Sequence, residues 1–307
     1  MRKPLTSLAI CCASLIASCL AIATPVHAAT DPLLAQQWGI FAIGADRVWS
    51  TTTGAGVIVA VVDSGSGQHP DLAENLLPGR SFFGLVETPD GNDIDASGHG
   101  SHVAGIIAAA TNNGIGGSGV APNAKILPIK VLDQAGSGDA RDVAAGVRYA
   151  ADNGAKVINL SLGGAAESSS LSQAIAYAND KGALVVAAAG NGGASDKPKW
   201  PASLDLTLAV TAVDQSNNAT SFDQRGDYID IAAPGANVVS TAKGDYVTLS
   251  GTSMAAGFVA GAAALLFAAE PRVTNAQVRD ILLRTATDIG DPGRDVTFGV
   301  GLINMVA

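Results

Sequence analysis

Thiols are almost missing from this chain. Its three cysteines, Cys11, Cys12 and Cys19, all fall in the first 19 of 307 residues. Beyond them no disulfide framework, four-cysteine zinc site or cysteine nucleophile is available. Charge is scarce as well, at 15% of residues, against roughly 25% in an average globular protein. What charge exists leans acidic, 27 Asp and Glu against 18 Lys and Arg, for a net −9 and a pI near 4.7. That balance excludes a nucleic-acid binder, which depends on clustered Lys and Arg. Histidine is rare too: His27, His69, His99 and His102 are all there is, so histidine chemistry must come from the first third of the chain. Low charge does not mean disorder here, because 48% of residues are hydrophobic. Glycine, with 36 residues, is well above the roughly 7% of average usage. The length suits one large α/β domain or two small ones.

The first 28 residues stand apart. Arg2 and Lys3 precede an apolar run from Leu5 to Ile22, and Val26-His27-Ala28 offers a small-x-small cleavage pattern. The segment 1–28 reads as a secretory signal, leaving 29–307 as the mature protein, secreted or periplasmic. Two alternatives stay open: an uncleaved membrane anchor, since the run almost suffices to span, and lipidation at Cys19 within Ile16-Ala17-Ser18-Cys19. Cleavage after Ala28 removes every cysteine and two positive charges, moving the net charge from −9 to −11.

Along the mature chain, β-branched runs alternate with helical patterns. Val57–Val62, Lys156–Leu162 and Ala183–Ala187 read as buried strands. Asp139–Asn153, with Val143, Val147 and Ala150 at helical spacing, and Leu171–Lys181 read as helices. Doubly buried strands separated by helices predict βαβ units and a parallel sheet. Thr252–Glu270 is small and apolar all round, which predicts a central helix stopped by Pro271. Thr274 is placed to cap a last helix carrying Val278, Ile281 and Leu282. No linker, charge run or repeat divides the chain, so one domain is expected.

Three segments carry chemistry. Asp63 ends a buried strand in Val61-Val62-Asp63-Ser64-Gly65, where open α/β sheets place their ligand sites. His99 sits between glycines in Gly98-His99-Gly100-Ser101-His102-Val103-Ala104-Gly105, at a loop-to-helix junction. Ser253, in Gly251-Thr252-Ser253-Met254-Ala255, opens a long apolar helix whose N-terminus favours negative charge. Taken singly, each has an ordinary explanation: a strand-end turn, a packed or solvated histidine, an N-cap serine. His102 lies one turn beyond His99, yet no His-Glu-x-x-His arrangement accompanies it; it is expected to be packed. The order Asp63, His99, Ser253 is, however, one of the known orders of a Ser-His-Asp triad. An α/β-hydrolase esterase needs a second glycine where Ala255 stands and a histidine after the serine; both are missing.

On these three blocks the chain resembles the subtilisin-like serine proteases of the subtilase family. The resemblance implies a three-layer α/β fold with a mostly parallel central sheet flanked by helices. It implies a serine endopeptidase acting on polypeptides, with Asp63, His99 and Ser253 as triad and Asn191, in Ala188-Ala189-Gly190-Asn191, as oxyanion donor. Gly136-Ser137-Gly138 and Ser161-Leu162-Gly163 correspond to the segments that sandwich the peptide, and Ser161–Gly163 with Ala188–Gly190 to the walls of the pocket for the residue before the cut. Lys199, ahead of Trp200-Pro201, falls near the base of that pocket, where it would favour acidic or polar residues unless it is simply a solvated charge. Thr111-Asn112-Asn113-Gly114-Ile115-Gly116-Gly117 resembles the family's calcium loop, with Asp31, Asp71 and Asn113 side chains and the carbonyls of Thr111, Ile115 and Gly117 as Ca²⁺ ligands. An Asn-Gly turn beside unrelated carboxylates is the plainer alternative. Glu87, Asp90, Asp93 and Asp95 are expected to form a solvated acidic loop, with a further ion site as the alternative. Gly257 stands where relatives commonly have proline. Secreted relatives also carry an inhibitory prodomain ahead of the mature domain; mature-like sequence here resumes by Asp31, so none is expected. A monomer is expected. A non-catalytic peptide-binding relative would be betrayed by a lost triad member, and none is lost.

Overall fold

The computed structural model describes Met1, residues 31–88 and residues 95–307. The leader at 2–28, with Cys19, and Asp90 and Asp93 lie outside the described residues. The β-branched runs form β1 (Ile58–Asp63), β4 (Val157–Leu160) and β5 (Leu184–Ala188) of a set completed by β2 (Arg80–Ser81), β3 (Lys125–Lys130), β6 (Thr207–Val213) and β7 (Ile231–Pro234). These seven pair in parallel throughout, in the order β2-β3-β1-β4-β5-β6-β7. A separate antiparallel hairpin, β8 (Val238–Ala242) and β9 (Asp245–Leu249), follows. The helices are α1 (Trp38–Ala42), α2 (Ala45–Val48), α3 (His99–Ala108), α4 (Ala140–Asp152), α5 (Ser169–Asp180), α6 (Thr252–Ala269) and α7 (Asn275–Arg284).

Alternation along β1 builds the three layers. Val59 and Val61 pack into the core formed with α3, α6 and α7, whereas Ala60 and Val62 pack into the one formed with α4 and α5. Both faces are dry, so the strands carry apolar side chains on both faces instead of at every second position, with Asn159, Thr207 and Thr211 among the buried polar exceptions. α6 is long and apolar enough to cross a membrane, but it is 83% buried inside the fold: it is the core helix the sequence suggests. At Gly257 it crosses α3 closely, a Cβ there coming within 3.1 Å of Ile106 Cγ2. α7 starts with a capping box between Thr274 and Gln277 and buries Val278 and Leu282, with Ile281 only half-buried. Because β1 has β3 on one side and β4 on the other, the strand order reverses at its carboxyl end. A crevice opens at such a switch point, and Asp63 is the residue that ends the strand there.

Candidate active site

Asp63 is fully buried, and its Oδ1 lies 2.8 Å from His99 Nδ1. His99 is the first residue of α3 and keeps its side chain one third exposed, at 33%. The flanking glycines make that approach feasible. Gly98, the N-cap, holds φ +85°, and a Cβ at Gly100 would overlap the carbonyl oxygen of Gly65; a side chain at either position would push the helix off the end of β1. A carboxylate facing Nδ1 fixes the proton there and leaves Nε2 as the basic nitrogen. The Asp63 charge raises the His99 pKa above its ordinary 6.5, outweighing burial, which pulls the other way.

Ser253 is the second residue of α6 and is buried to 8% exposure. Its Oγ donates to the carbonyl of Ser161 at 3.3 Å, while Ser161 Oγ donates to the Ser253 carbonyl at 2.9 Å. These bonds staple the end of β4 to the start of α6. The Oγ is thus turned toward Ser161, and no hydrogen bond joins it to His99 in the structure; catalytic hydrogen bonds often tighten only once substrate is bound. Asn191 follows β5. Its Oδ1 accepts from Thr252 N and from Thr252 Oγ1, both at 2.9 Å. That anchorage leaves the Nδ2 donors free, on the side of Gly251 and the helix N-terminus. Thr252 also accepts from Gly190 N at 3.1 Å. Sequence reading passed over this threonine, although a hydroxyl directly before a candidate nucleophile was the available signal.

A cleft of about 590 Å³ runs past the pair, lined by Asp63 and His99, by Gly136–Gly138 on one side and by Ser161–Gly163 on the other. Ala188 and Ala189 are buried at the end of β5, and Gly190 packs against Gln224 and Lys199; these three, like Ser253 and Asn191, are not among the residues that line the cleft. The stem of Lys199 lies against both Gly163 and Gly190. Its Nζ sits 2.8 Å from Asp196 Oδ2. Lys199 is therefore not a free solvated charge but is ion-paired beside Gly163 and Gly190.

The two other described histidines are structural. His102 Nε2 lies 3.1 Å from the carbonyls of both Val238 and Val247, and burial pushes its pKa down to about 4. His69 accepts from Asp71 N and reaches the Asp245 carbonyl. The loop at 111–117 gathers Asp31, which accepts from Thr111 Oγ1, Asn112 N and Asn113 N, and Asp71, which accepts from Asn113 Nδ2, Gly117 N and the Tyr246 hydroxyl. The Asn113 Oδ1 accepts from Ile115 N. Both carboxylates are buried, and burial raises the Asp71 pKa. No Lys or Arg pairs with either among the described residues. Neither do three or more His, Cys, Asp or Glu gather there as a metal cluster among the described residues. Two buried carboxylates without a Lys or Arg partner, beside an amide oxygen, are donors of the kind a hard divalent ion takes, and in this structure each is engaged by N–H and O–H donors.

The acidic loop needs correction. Glu87 lies 3.6 Å from Arg80, and Asp95 is not solvated: it is 8% exposed and its carboxylate accepts five hydrogen bonds. A carboxylate so placed is drawn inward by the N–H and O–H donors that surround the start of α3.

The subtilase family matches residues 54–301 of the chain. Subtilisin Savinase from Lederbergia lenta is 47% identical over 273 residues, 88% of this chain and 97% of that protein. Thermitase from Thermoactinomyces vulgaris is 44% identical over 266 residues, covering 86% and 93%. The solved structure of sphericase superposes with a TM-score of 0.81 at 40% identity, covering 88% of this chain and 99% of that one. With the Asp63–His99 pair beneath a peptide-sized cleft and Ser253 at a helix N-terminus, the chain belongs to the subtilase family, a family of serine endopeptidases.

Proposed function

We propose that Asp63, His99 and Ser253 are the triad of this endopeptidase and that Asn191 completes its oxyanion hole. The observation that carries the assignment is the 2.8 Å contact between His99 Nδ1 and Asp63 at the mouth of the cleft. His99 Nε2 takes the proton of Ser253 as Oγ attacks the peptide carbonyl, then gives it to the leaving amine; Asp63 holds the tautomer and stabilises the imidazolium. Water repeats the sequence on the acyl-enzyme. The tetrahedral oxyanion is met by the backbone N–H of Ser253 and the Nδ2 of Asn191, donors already oriented before charge develops. The substrate backbone adds as a strand between Gly136–Gly138 and Ser161–Gly163, which gives affinity with little sequence preference. Ser161–Gly163 and Ala188–Gly190 bound the pocket for the residue before the cut. The family resemblance sets Lys199 near the base of that pocket, and Lys199 is paired with Asp196 rather than free, so polar residues are favoured there over acidic ones. A fluorophosphonate probe tests the assignment: it should label Ser253 in the wild type and fail to label His99→Ala. A folded wild type that does not label would overturn it.

Asn191→Ala should leave the fold intact and KM little changed, while kcat falls about 10²–10³-fold, the scale subtilisin's own oxyanion asparagine has established. Steady-state kinetics on a chromogenic peptide checks this; a loss confined to KM would reassign Asn191 to ground-state binding. The pH dependence follows from His99. Its protonated form cannot accept from Ser253, so kcat/KM is lost as pH falls through the His99 pKa, and the opposing Asp63 charge places that limb above pH 6.5. A profile peaking in acid would contradict the role of His99.

Asp31, Asp71, Asn113 and the carbonyls of Thr111, Ile115 and Gly117 are the proposed holders of one Ca²⁺, a reading supported by two buried carboxylates with no Lys or Arg partner among the described residues. When bound, the ion supplies positive charge that ties the N-terminal segment to the loop, and it takes no part in the reaction. Residues 1–28 are read as directing export and being removed, which places the mature enzyme outside the cytoplasm, secreted or periplasmic.

A further inference from the structure

Asp95 lies four residues before His99 and is tied to every donor at the start of α3. The first N–H groups of a helix lack an intrahelical acceptor. Here Gly98 N donates to Asp95 Oδ1 at 2.8 Å and Ser101 N to Asp95 Oδ2 at 2.7 Å. His99 N donates to Ser97 Oγ and Gly100 N to Ser64 Oγ, each at 3.0 Å. Ser64 Oγ lies 2.9 Å from Asp95, Ser97 Oγ lies 2.8 Å from Ser64 Oγ and 3.2 Å from Asp95, and Ser101 Oγ adds a bond of 2.6 Å. One carboxylate, directly and through two hydroxyls, therefore holds the four N–H groups of the turn that carries His99.

The same network reaches the other half of the pair. Ser64 Oγ lies 2.9 Å from Asp95 Oδ1 and 3.1 Å from Asp63 Oδ1. A hydroxyl has one proton to give, so the two carboxylates compete for it. As His99 becomes an imidazolium it satisfies Asp63 with a charged donor, and the Ser64 proton is released to Asp95. Resting on the reading of His99 as general base, we propose that Asp95 is a positioning residue for the triad, fixing the backbone that bears His99 and standing behind Asp63 as a second anion.

The local electrostatics agree. Burial alone would push the Asp95 carboxyl up, but the donors from Ser101, Gly98 and Ser64 together outweigh it and hold Asp95 below the ordinary value, hence anionic. Its charge adds to that of Asp63 in raising the pKa of His99. The other groups facing this corner are His102, neutral above about pH 4, Lys130, whose Nζ donates to the carbonyls of Ser64 and Leu132, and Lys243, whose stem lies against Gly98. None of these is paired with Asp95.

Asp95→Asn and Ser64→Ala, each assayed for kcat, KM and the pH profile alongside melting, separate this role from a purely structural one. Asp95→Asn should still label with fluorophosphonate, lose kcat about tenfold with KM unchanged, less than the roughly hundredfold cost of a 1 Å misplacement. Its acid limb should move to lower pH by about half a unit, less than the 1–3 units of a direct charge partner. Wild-type kcat and an unmoved acid limb in folded Asp95→Asn would overturn the proposal even if melting fell. Should Asp95→Asn not fold, Ser64→Ala decides: it keeps the direct Asp95 bonds, so reduced kcat at constant KM supports the coupling and unchanged kcat sinks it. Loss of labelling in the wild type would instead sink the triad reading itself.

Discussion

Ser253→Ala is expected to lower kcat about 10⁶-fold, with His99→Ala losing about as much and the double variant no more; the scale is subtilisin's own. The reason for the missing additivity lies in the geometry. His99 has no proton to take without Ser253 Oγ, and Oγ has no base without Nε2, so either removal abolishes the same step. Asp63→Ala should cost less, about 10⁴-fold, because the imidazole stays near its place on α3 through the backbone bonds of Gly98, His99, Gly100 and Ser101. Residual activity in the Ser253 variant comes from Asn191 and the cleft acting on water attack. Ser253→Ala should melt near the wild type, since the lost hydroxyl makes a single bond, to Ser161 O at 3.3 Å. Additive losses in the double variant would mean that the two side chains serve different steps.

Where sequence and structure agree, the reason is that short-range physics decides. β1, β4 and β5 are continuous apolar runs buried on both faces, and α4, α5, α6 and α7 carry strong periodicity or caps; all emerge within a few residues of their expected ends. β3 was hidden by Pro128 and by the lysines at its ends; proline normally argues against a central strand, and here β1 pairing overrides it. The β8–β9 hairpin was equally hidden, since Tyr246 and Val247 read no differently from loop residues until His102 and Asp71 are seen to dock on them. The triad residues were legible because each sits at an end of a regular element with a glycine within two residues. Thr252, Asp95 and Ser64 were not, because their roles exist only through contacts between segments: Asp95 gives no sign in sequence that it folds inward to α3 rather than out with Glu87. Lys199 was placed near the pocket base, but its neutralisation by Asp196 depends on how the intervening loop closes.

Removing calcium should lower the melting temperature by about 10 °C. At an ion concentration a thousandfold above Kd, a site present only in the folded state contributes about 4.1 kcal/mol, and each kcal/mol shifts Tm by about 2–4 °C in a domain of this size. The fold says where that energy acts. Asp31 belongs to the N-terminal segment, Asp71 to the turn after β1, and the loop at 111–117 to the connection after α3; without the ion, two buried carboxylates are held together by N–H and O–H donors alone. Burial already raises the Asp71 pKa, which marks an anion in want of a positive partner. Asp71→Asn should therefore melt close to the chelated wild type and should respond little to chelator, because one of two carboxylates is gone. The same variant should keep the His99 acid limb, since Asp71 makes no contact with the triad. Calorimetry with and without chelator reads all of this. An unchanged Tm in the wild type after chelation would show that the loop is closed by its own hydrogen bonds, and the plainer Asn-Gly turn would then account for it.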